Sequence, residues 1–347
     1  MSDNNFKIGI CGHFNSGEPC CGQMIKTHGI YDALIRTYGD NNIIISSTTN
    51  WFKNPLKLLK ECFCLSRKCK NIIILPANNG VKVLGPLFVL LKVVYKFRLH
   101  YVVVGGWLPD LLNSHPCLSF FLNKVDYIYV ETKDMKNKLE NINVFKNVKV
   151  MPNFKETIIL HEADIITNLK FPFKFCTFSR VMEEKGIGIA IEAILDLNSN
   201  FKYCTLDIYG AIEPQYSEKF AQILRCDYPG ITYRGVVDTT ESINTLKNYD
   251  ALLFPTFYDG EGFAGTILDA FGAALPVIAS NWKYNSELIK NGENGFLFKP
   301  RDVKDLEDKL IQFINFEDKY KLKLNCLNQS KNYLPSKAIK ILTDNII

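Results

Sequence analysis

Two short stretches of the sequence combine glycines, carboxylates and cations in an order suited to a phosphorylated ligand. Residues 255–270 read Pro-Thr-Phe-Tyr-Asp-Gly-Glu-Gly-Phe-Ala-Gly-Thr-Ile-Leu-Asp-Ala, with Gly260, Gly262 and Gly265 set among the acids Glu261 and Asp269. The apolar run ending at Pro255 predicts a strand, the glycines a loop, and the following run a helix to about Ala274. Glycine lets backbone approach a ligand closely. The first N–H groups and positive end of a helix suit a diphosphate. Two acids bracketing such a helix start can accept hydrogen bonds from sugar hydroxyls at the two ends of a nucleotide-sugar. They fit a capped helix with solvated acids as well. The second stretch, Ser179-Arg180-Val-Met-Glu-Glu-Lys185-Gly186, places two cations just after another apolar run. A guanidinium grips phosphate oxygens bidentately and an ammonium adds a point charge. Surface pairing with Glu183 and Glu184 explains the same cations.

These residues need a scaffold that brings them together, and the chain is long enough for one. It has 347 residues, 47% apolar and 22% charged, with 21 Gly and 14 Pro. At roughly 100–200 residues per domain two domains are expected. Such a composition excludes a disordered or collagenous chain, and 11 Cys are too few for a disulfide scaffold of this length. The opening MSDNNFKIGI lacks the pattern of a secretory leader. Reduced thiols and a cytoplasmic location are therefore expected. No run reaches the roughly 18 apolar residues of a membrane span.

Apolar runs rich in Ile, Val and Tyr recur at 6–11, 42–46, 71–76, 101–106, 127–130 and 148–151, separated by segments long enough for crossover helices. A second series follows at 173–180, 204–210, 231–235, 251–255, 276–280 and 295–298. This alternation predicts two tandem, doubly wound α/β domains with parallel sheets. Their expected bounds are 1–160 and 170–333, with 334–347 as a helical tail. Ligands of such sheets bind outside the carboxyl ends of the strands, and two facing domains would form a cleft there. Both chemistry-bearing stretches lie just after predicted strands of the second series.

Taken together, these segments resemble the retaining glycosyltransferases of family 4, of the bacterial surface-polysaccharide kind. That family carries a Glu-x7-Glu motif within a P-S-x-x-E-G-F-G-like stretch, and an upstream Arg and a Lys followed by Gly. Here Glu261 and Asp269 are separated by seven residues, with Arg180, Lys185 and Gly186 upstream. Ala274-Leu-Pro-Val-Ile-Ala-Ser280 resembles the family's G-x-P-V-I-A strand, Glu287 and Asn291-Gly-Glu-Asn-Gly295 its next segment, and Met151-Pro-Asn153 the end of its first domain. The likeness is strong from 173 to 298 and weak before 148. Asp269 stands where the family has Glu, and Ala264 stands where it has Gly. The histidine that follows a first-domain strand in the family is replaced by Val104-Gly105-Gly106-Trp107, leaving His115 and His13 as distant rivals.

The resemblance implies a GT-B fold, two Rossmann-like domains with an interdomain cleft, and an enzyme of the EC 2.4 class. It implies transfer of a hexosyl or related sugar from a nucleoside-diphosphate sugar, most often UDP-linked, to a carbohydrate or lipid-linked saccharide. Configuration is retained and no metal or other cofactor is required. On this view Arg180 and Lys185 stabilise the leaving diphosphate, Glu261 holds donor-sugar hydroxyls and Asp269 the ribose. Backbone N–H groups at Ala264, Gly265 and Thr266 cap the diphosphate. Tyr209-Gly210 and Gly235-Val236-Val237, each after a strand, are candidates for the base pocket. The glycine-bearing first loop, with Gly12, Gly17 and Gly22, closes on the phosphates and acceptor in the family. Its spacing is not that of a dinucleotide fingerprint, and a tight structural turn explains it almost as well. The alternative activity class is a catalytically silent nucleotide-sugar-binding partner subunit.

Charge adds a further expectation. Residues 1–160 carry 20 Lys and Arg against 11 acids, and residues 161–347 carry 21 against 25. The basic first half should attract anionic partners. It lacks a nucleic-acid motif or an aromatic stacking platform. Its segments 51–70 and 84–100 mix Lys and Arg with Trp, Phe, Leu and Val in a pattern suited to an anionic membrane surface. A buried crossover helix at 84–98 with a solvated neighbour fits the same pattern. Cys62, Cys64 and Cys69 lack a fourth ligand at usual zinc spacing, and Cys176 and Cys204 read as core.

Overall fold

In a computed structural model describing residues 7–14, 22–142, 147–155, 159–166, 171–201, 204–226 and 228–346, the described chain forms two six-stranded, wholly parallel sheets. Contacts divide the chain into one unit of residues 1–156 with 333–347 and a second of 157–332.

The first unit holds strands β1 (Ile8–Gly12), β2 (Ile43–Ser47), β3 (Asn71–Ile74), β4 (Arg98–Val102), β5 (Tyr127–Val130) and β6 (Val148–Val150), in the order β2-β1-β3-β4-β5-β6. Its helices are α1 (Gly22–Tyr38), α2 (Pro55–Lys68), α3 (Asn78–Tyr95), α4 (Leu108–Ser114), α5 (Pro116–Leu122) and α6 (Lys133–Asn141). The central strands β1 and β3 are buried along their whole length, as a sheet covered on both faces requires. Helix α2 starts where the Asn54 side chain accepts from the Lys57 N–H and Pro55 occupies the first turn.

One strand differs from its expected place. The apolar run 101–106 predicts a strand, but β4 begins at Arg98 and ends at Val102. It opens on the half-buried Arg98 and carries a fully buried polar residue, His100. The His100 ring lies 3.2 Å from Asn71 Oδ1 and 3.1 Å from the Tyr129 hydroxyl. Satisfied buried polar groups let strand continue where hydropathy alone would stop it. Val103 to Gly106 instead leave the sheet as a loop.

The second unit holds β7 (Phe173–Phe178), β8 (Cys204–Tyr209), β9 (Ile231–Gly235), β10 (Ala251–Phe254), β11 (Val277–Ser280) and β12 (Gly295–Phe298), in the order β12-β11-β10-β7-β8-β9. Helices α7 (Ile187–Phe201), α8 (Ser217–Arg225), α9 (Ser242–Leu246), α10 (Gly265–Gly272), α11 (Asn285–Leu288), α12 (Val303–Ile314) and α13 (Lys319–Ser330) accompany them. One face of the sheet packs Phe175, Leu206, Ile208 and Leu253 against apolar residues of α7 and α12. The strand order reverses direction between β7 and β10, so the edge carrying the loops after these two strands is the topological switch point.

The last helix, α14 (Pro335–Thr343), belongs to the first unit. Residues 334–347 are thus not a separate tail. Ala338, Ile339 and Leu342 join the core built on β1, β3 and α1.

Candidate active site

The second unit's switch point gathers the chemistry-bearing residues through short loops that fit only with glycine. After β7 the chain turns at Ser179 and Arg180, and Val181 N–H donates to Ala211 O at 2.8 Å. Gly210, at φ 135°, lies so close to this turn that a Cβ there would stand 1.8 Å from Ser179 O. Gly210 N–H donates in turn to Gly235 O at 2.8 Å, which brings the neighbouring Val236 to the same edge. Val236 is exposed there. Glu183–Lys185 forms a single 3-10 turn closed by Gly186 at φ 71°. A Cβ on Gly186 would meet Pro255 O at 2.1 Å. Phe257 N–H donates to Glu184 O at 2.7 Å, so the loops after β7 and β10 are tied backbone to backbone.

Within this frame Lys185 Nζ lies 2.5 Å from Glu261 Oε2. Both residues are buried. The Thr256 hydroxyl donates to the same carboxylate oxygen at 2.8 Å. An ammonium has three protons, and this pair occupies one of them. Arg180 is different in kind. Its side chain is 50% exposed and pairs with Glu213 at 3.4 Å. The two cations nonetheless meet at one ring, because the Arg180 guanidinium lies 5.9 Å and Lys185 Nζ 5.1 Å from the Tyr258 ring centre. Tyr258 is itself held by Trp282, whose indole N–H donates to the Tyr258 carbonyl at 2.9 Å.

Helix α10 opens at this place. Ala264 is its N-terminal cap in extended conformation, and Gly265 and Thr266 are its first residues. The first N–H groups of a helix have no intrahelical acceptor. The Thr266 hydroxyl donates to Phe178 O at 2.6 Å, which pins the helix start to the end of β7. Asp269 lies one turn further along α10 and is buried.

The structure therefore brings Arg180, Lys185, Glu261, Gly210, Ala264, Gly265 and Thr266 to one edge of one sheet. Gly17, expected on the first loop, lies outside the described residues. Sequence reasoning passed over Thr256, Tyr258, Glu213 and Trp282. Thr256 and Tyr258 sit in the quoted loop after β10, so their position was a usable signal. Glu213 and Trp282 carried none, because they are joined to the site only by folding.

The first unit has its own cavity of about 360 Å³, beside the carboxyl ends of β1, β2 and β3. His13, Thr48, Trp51, Phe52, Leu58 and Val83 are among its lining residues. His115 is elsewhere, exposed between α4 and α5 with its ring against Ser114 and Leu111 O. Among the described residues no group of three or more His, Cys, Asp and Glu gathers as a metal site. Cys62, Cys69, Cys176 and Cys204 are buried free thiols.

Two parallel six-stranded sheets of this order, one in each unit, are those of the GT-B fold. Residues 172–315 match the family described as Glycosyl transferases group 1. Among relatives, the chain is 29% identical over 263 residues to the GtfA subunit of the UDP-N-acetylglucosamine–peptide N-acetylglucosaminyltransferase of Streptococcus gordonii, covering 72% of this chain and 49% of that protein. It is 24% identical over 201 residues to the poly(ribitol-phosphate) alpha-N-acetylglucosaminyltransferase of Staphylococcus aureus, covering 53% and 40%. Among solved structures, HepE of Anabaena in complex with UDP superposes at a TM-score of 0.74 with 13% identity, covering 98% of this chain and 99% of that one. The matched region spans half or less of the length of the curated streptococcal relatives, 37% in one and 49% in another.

Proposed function

We propose that the protein is a retaining glycosyltransferase that moves a sugar from a UDP-sugar to a carbohydrate or lipid-linked saccharide, without a required metal. The observation that carries this reading is the Lys185–Glu261 pair set beside Arg180 and the start of α10 at the switch point of the second sheet. The bond from the donor's anomeric carbon to the diphosphate oxygen breaks, and the bonding electrons leave with the nucleoside diphosphate. Arg180 and Lys185 neutralise the growing charge on that diphosphate, assisted by the N–H groups at Ala264, Gly265 and Thr266. Preorganised charges of this kind are usually the largest catalytic contribution. Lys185 is oriented for this by Glu261 and keeps two protons for phosphate oxygens.

Glu261 has a second oxygen for donor-sugar hydroxyls, Asp269 takes the ribose, and the Gly210–Val236 edge takes the base. The acceptor oxygen forms its bond on the face the diphosphate leaves and passes its proton to the departing phosphate, so the configuration is kept. The loop bearing Gly17 meets the donor phosphates and the acceptor, and the first unit holds the acceptor. HepE was solved with UDP bound, and the streptococcal relatives are named for a UDP-sugar; both support the choice of donor. Free thiols at the described cysteines support action in the cytoplasm.

A thermal-shift series with UDP, GDP, ADP and their sugars, in buffer with chelator, tests this reading. UDP and one UDP-sugar should raise the unfolding temperature by several degrees, since ligand at 100 times its Kd adds about 2.7 kcal/mol. Proton NMR of the product should show the donor's anomeric configuration. Binding of a UDP-sugar with neither transfer nor hydrolysis would identify a silent subunit, and strict need for Mg²⁺ or Mn²⁺ would contradict the metal-free chemistry.

A further inference from the structure

Helices α2 and α3 pack side by side over one face of the first sheet and leave an apolar surface outward. On α2, Leu56, Leu59 and Phe63 recur at spacings of three and four residues and are exposed. On α3, Leu90, Val93 and Val94 are 60%, 76% and 69% exposed, in line with exposed Val83 two turns earlier. On α3 the stripe lies on the side opposite the buried Leu84 and Phe88, and on α2 it runs alongside the face that buries Leu58, Cys62 and Leu65. Apolar side chains contiguous on a surface mark an interaction site, whereas scattered ones do not.

The same surface is strongly basic. Residues 51–98 contain ten Lys and Arg and one acid, Glu61. Glu61 is already engaged by Ser46 at 2.8 Å and Lys57 at 3.8 Å. Lys57, Lys60, Lys82 and Lys96 are exposed around the stripes.

We propose that this outer face of α2 and α3 docks on an anionic lipid bilayer. Leu and Val enter the headgroup boundary while the long lysine side chains reach the anionic headgroups. A second copy of the chain seated here would set one basic surface against another, at a cost in like-charge repulsion. A nucleic acid would use the cations and leave the apolar stripes exposed. A bilayer satisfies both. Trp51, Phe52 and Val83 are shared between the exposed face and the lining of the 360 Å³ cavity, so the docked cavity opens at the lipid surface. The proposal stands whether or not the chain transfers sugar.

The test is co-sedimentation of the full chain with phosphatidylcholine vesicles and with vesicles mixing phosphatidylcholine and phosphatidylglycerol. Binding should be at least about tenfold stronger to the mixed vesicles and should weaken as salt rises. Leu90→Glu with Val94→Glu should lower it about tenfold or more, as should Lys57→Glu with Lys60→Glu. The matching reversal on the second unit, Lys304→Glu with Lys309→Glu, should leave it unchanged. Circular dichroism checks that each variant is folded. Absence of binding, equal binding to both vesicle types, or wild-type binding by the folded α2 and α3 variants would overturn the proposal. So would a solution dimer that Leu90→Glu with Val94→Glu converts to monomer.

Discussion

Lys185 Nζ and Glu261 Oε2 meet at 2.5 Å although the residues are 76 positions apart, and their side chains are only 10% and 9% exposed. Such a pair costs desolvation to form and leaves a stranded charge when one partner is removed. Lys185→Met or Glu261→Gln should therefore each destabilise the second unit, Lys185→Met by about 3–5 kcal/mol. The double substitution should cost clearly less than the sum of the two, with a coupling of about 1 kcal/mol or more. Urea unfolding of the four proteins gives the cycle, and strict additivity would show that the pair is not coupled.

Arg180 offers the contrasting case. Its ion pair with Glu213 is half exposed and contributes little to stability. Arg180→Ala should change unfolding free energy by about 0.5 kcal/mol or less. On the proposed mechanism turnover should nonetheless fall by about 10²–10³, since Arg180 would there meet the charge that develops on the leaving diphosphate. Donor affinity should fall much less. Steady-state kinetics with a titrated donor separates the two, and equal losses in both would indicate plain binding.

Gly210 predicts a steric result. At φ 135° with Ser179 O at 1.8 Å from an added Cβ, no rotamer choice relieves Gly210→Ala. The loop bearing Arg180 would have to move. A loss of about 2–3 kcal/mol or more is expected, together with loss of UDP stabilisation in a thermal-shift assay. Gly39→Ala, also at positive φ but with open space around it, should be milder.

His100 sets a pH dependence. Burial pushes its pKa from 6.5 down to about 4, so the folded protein holds it neutral. As pH falls below about 6.5 the unfolded chain takes up a proton that the folded chain refuses. Stability contributed at neutral pH is then lost progressively down to about pH 4, by about 3 kcal/mol in all. His100→Gln should flatten this slope. Unfolding midpoints measured between pH 4 and 7 check it.

Strand positions were largely readable from the residues, because buried parallel strands are short continuous runs of Ile, Val, Leu and Phe bounded by turn residues. The exception is instructive. β4 includes Arg98 and His100, and a hydropathy reading cannot know that Asn71 and Tyr129 stand ready to satisfy the imidazole. At the site, the glycines and cations after β7 and β10 announced themselves by position. Their pairing did not. Nearby Glu183 and Glu184 were equally available partners for Lys185 by sequence, yet Glu183 engages Lys219 at 2.6 Å and Lys185 turns inward.

What the sequence determined by itself is the alternation of strand and helix, the two sheets, and the stretches lying at carboxyl ends of strands. Those follow from local periodicity and turn chemistry, which need no distant partner. Only the tertiary structure decided which charges meet, that α14 returns to the first unit's core, and which sides of α2 and α3 stay bare. Each of these depends on where remote segments come to lie, and burial, which sets both the strength of a charge pair and the meaning of an apolar stripe, is a property of that arrangement.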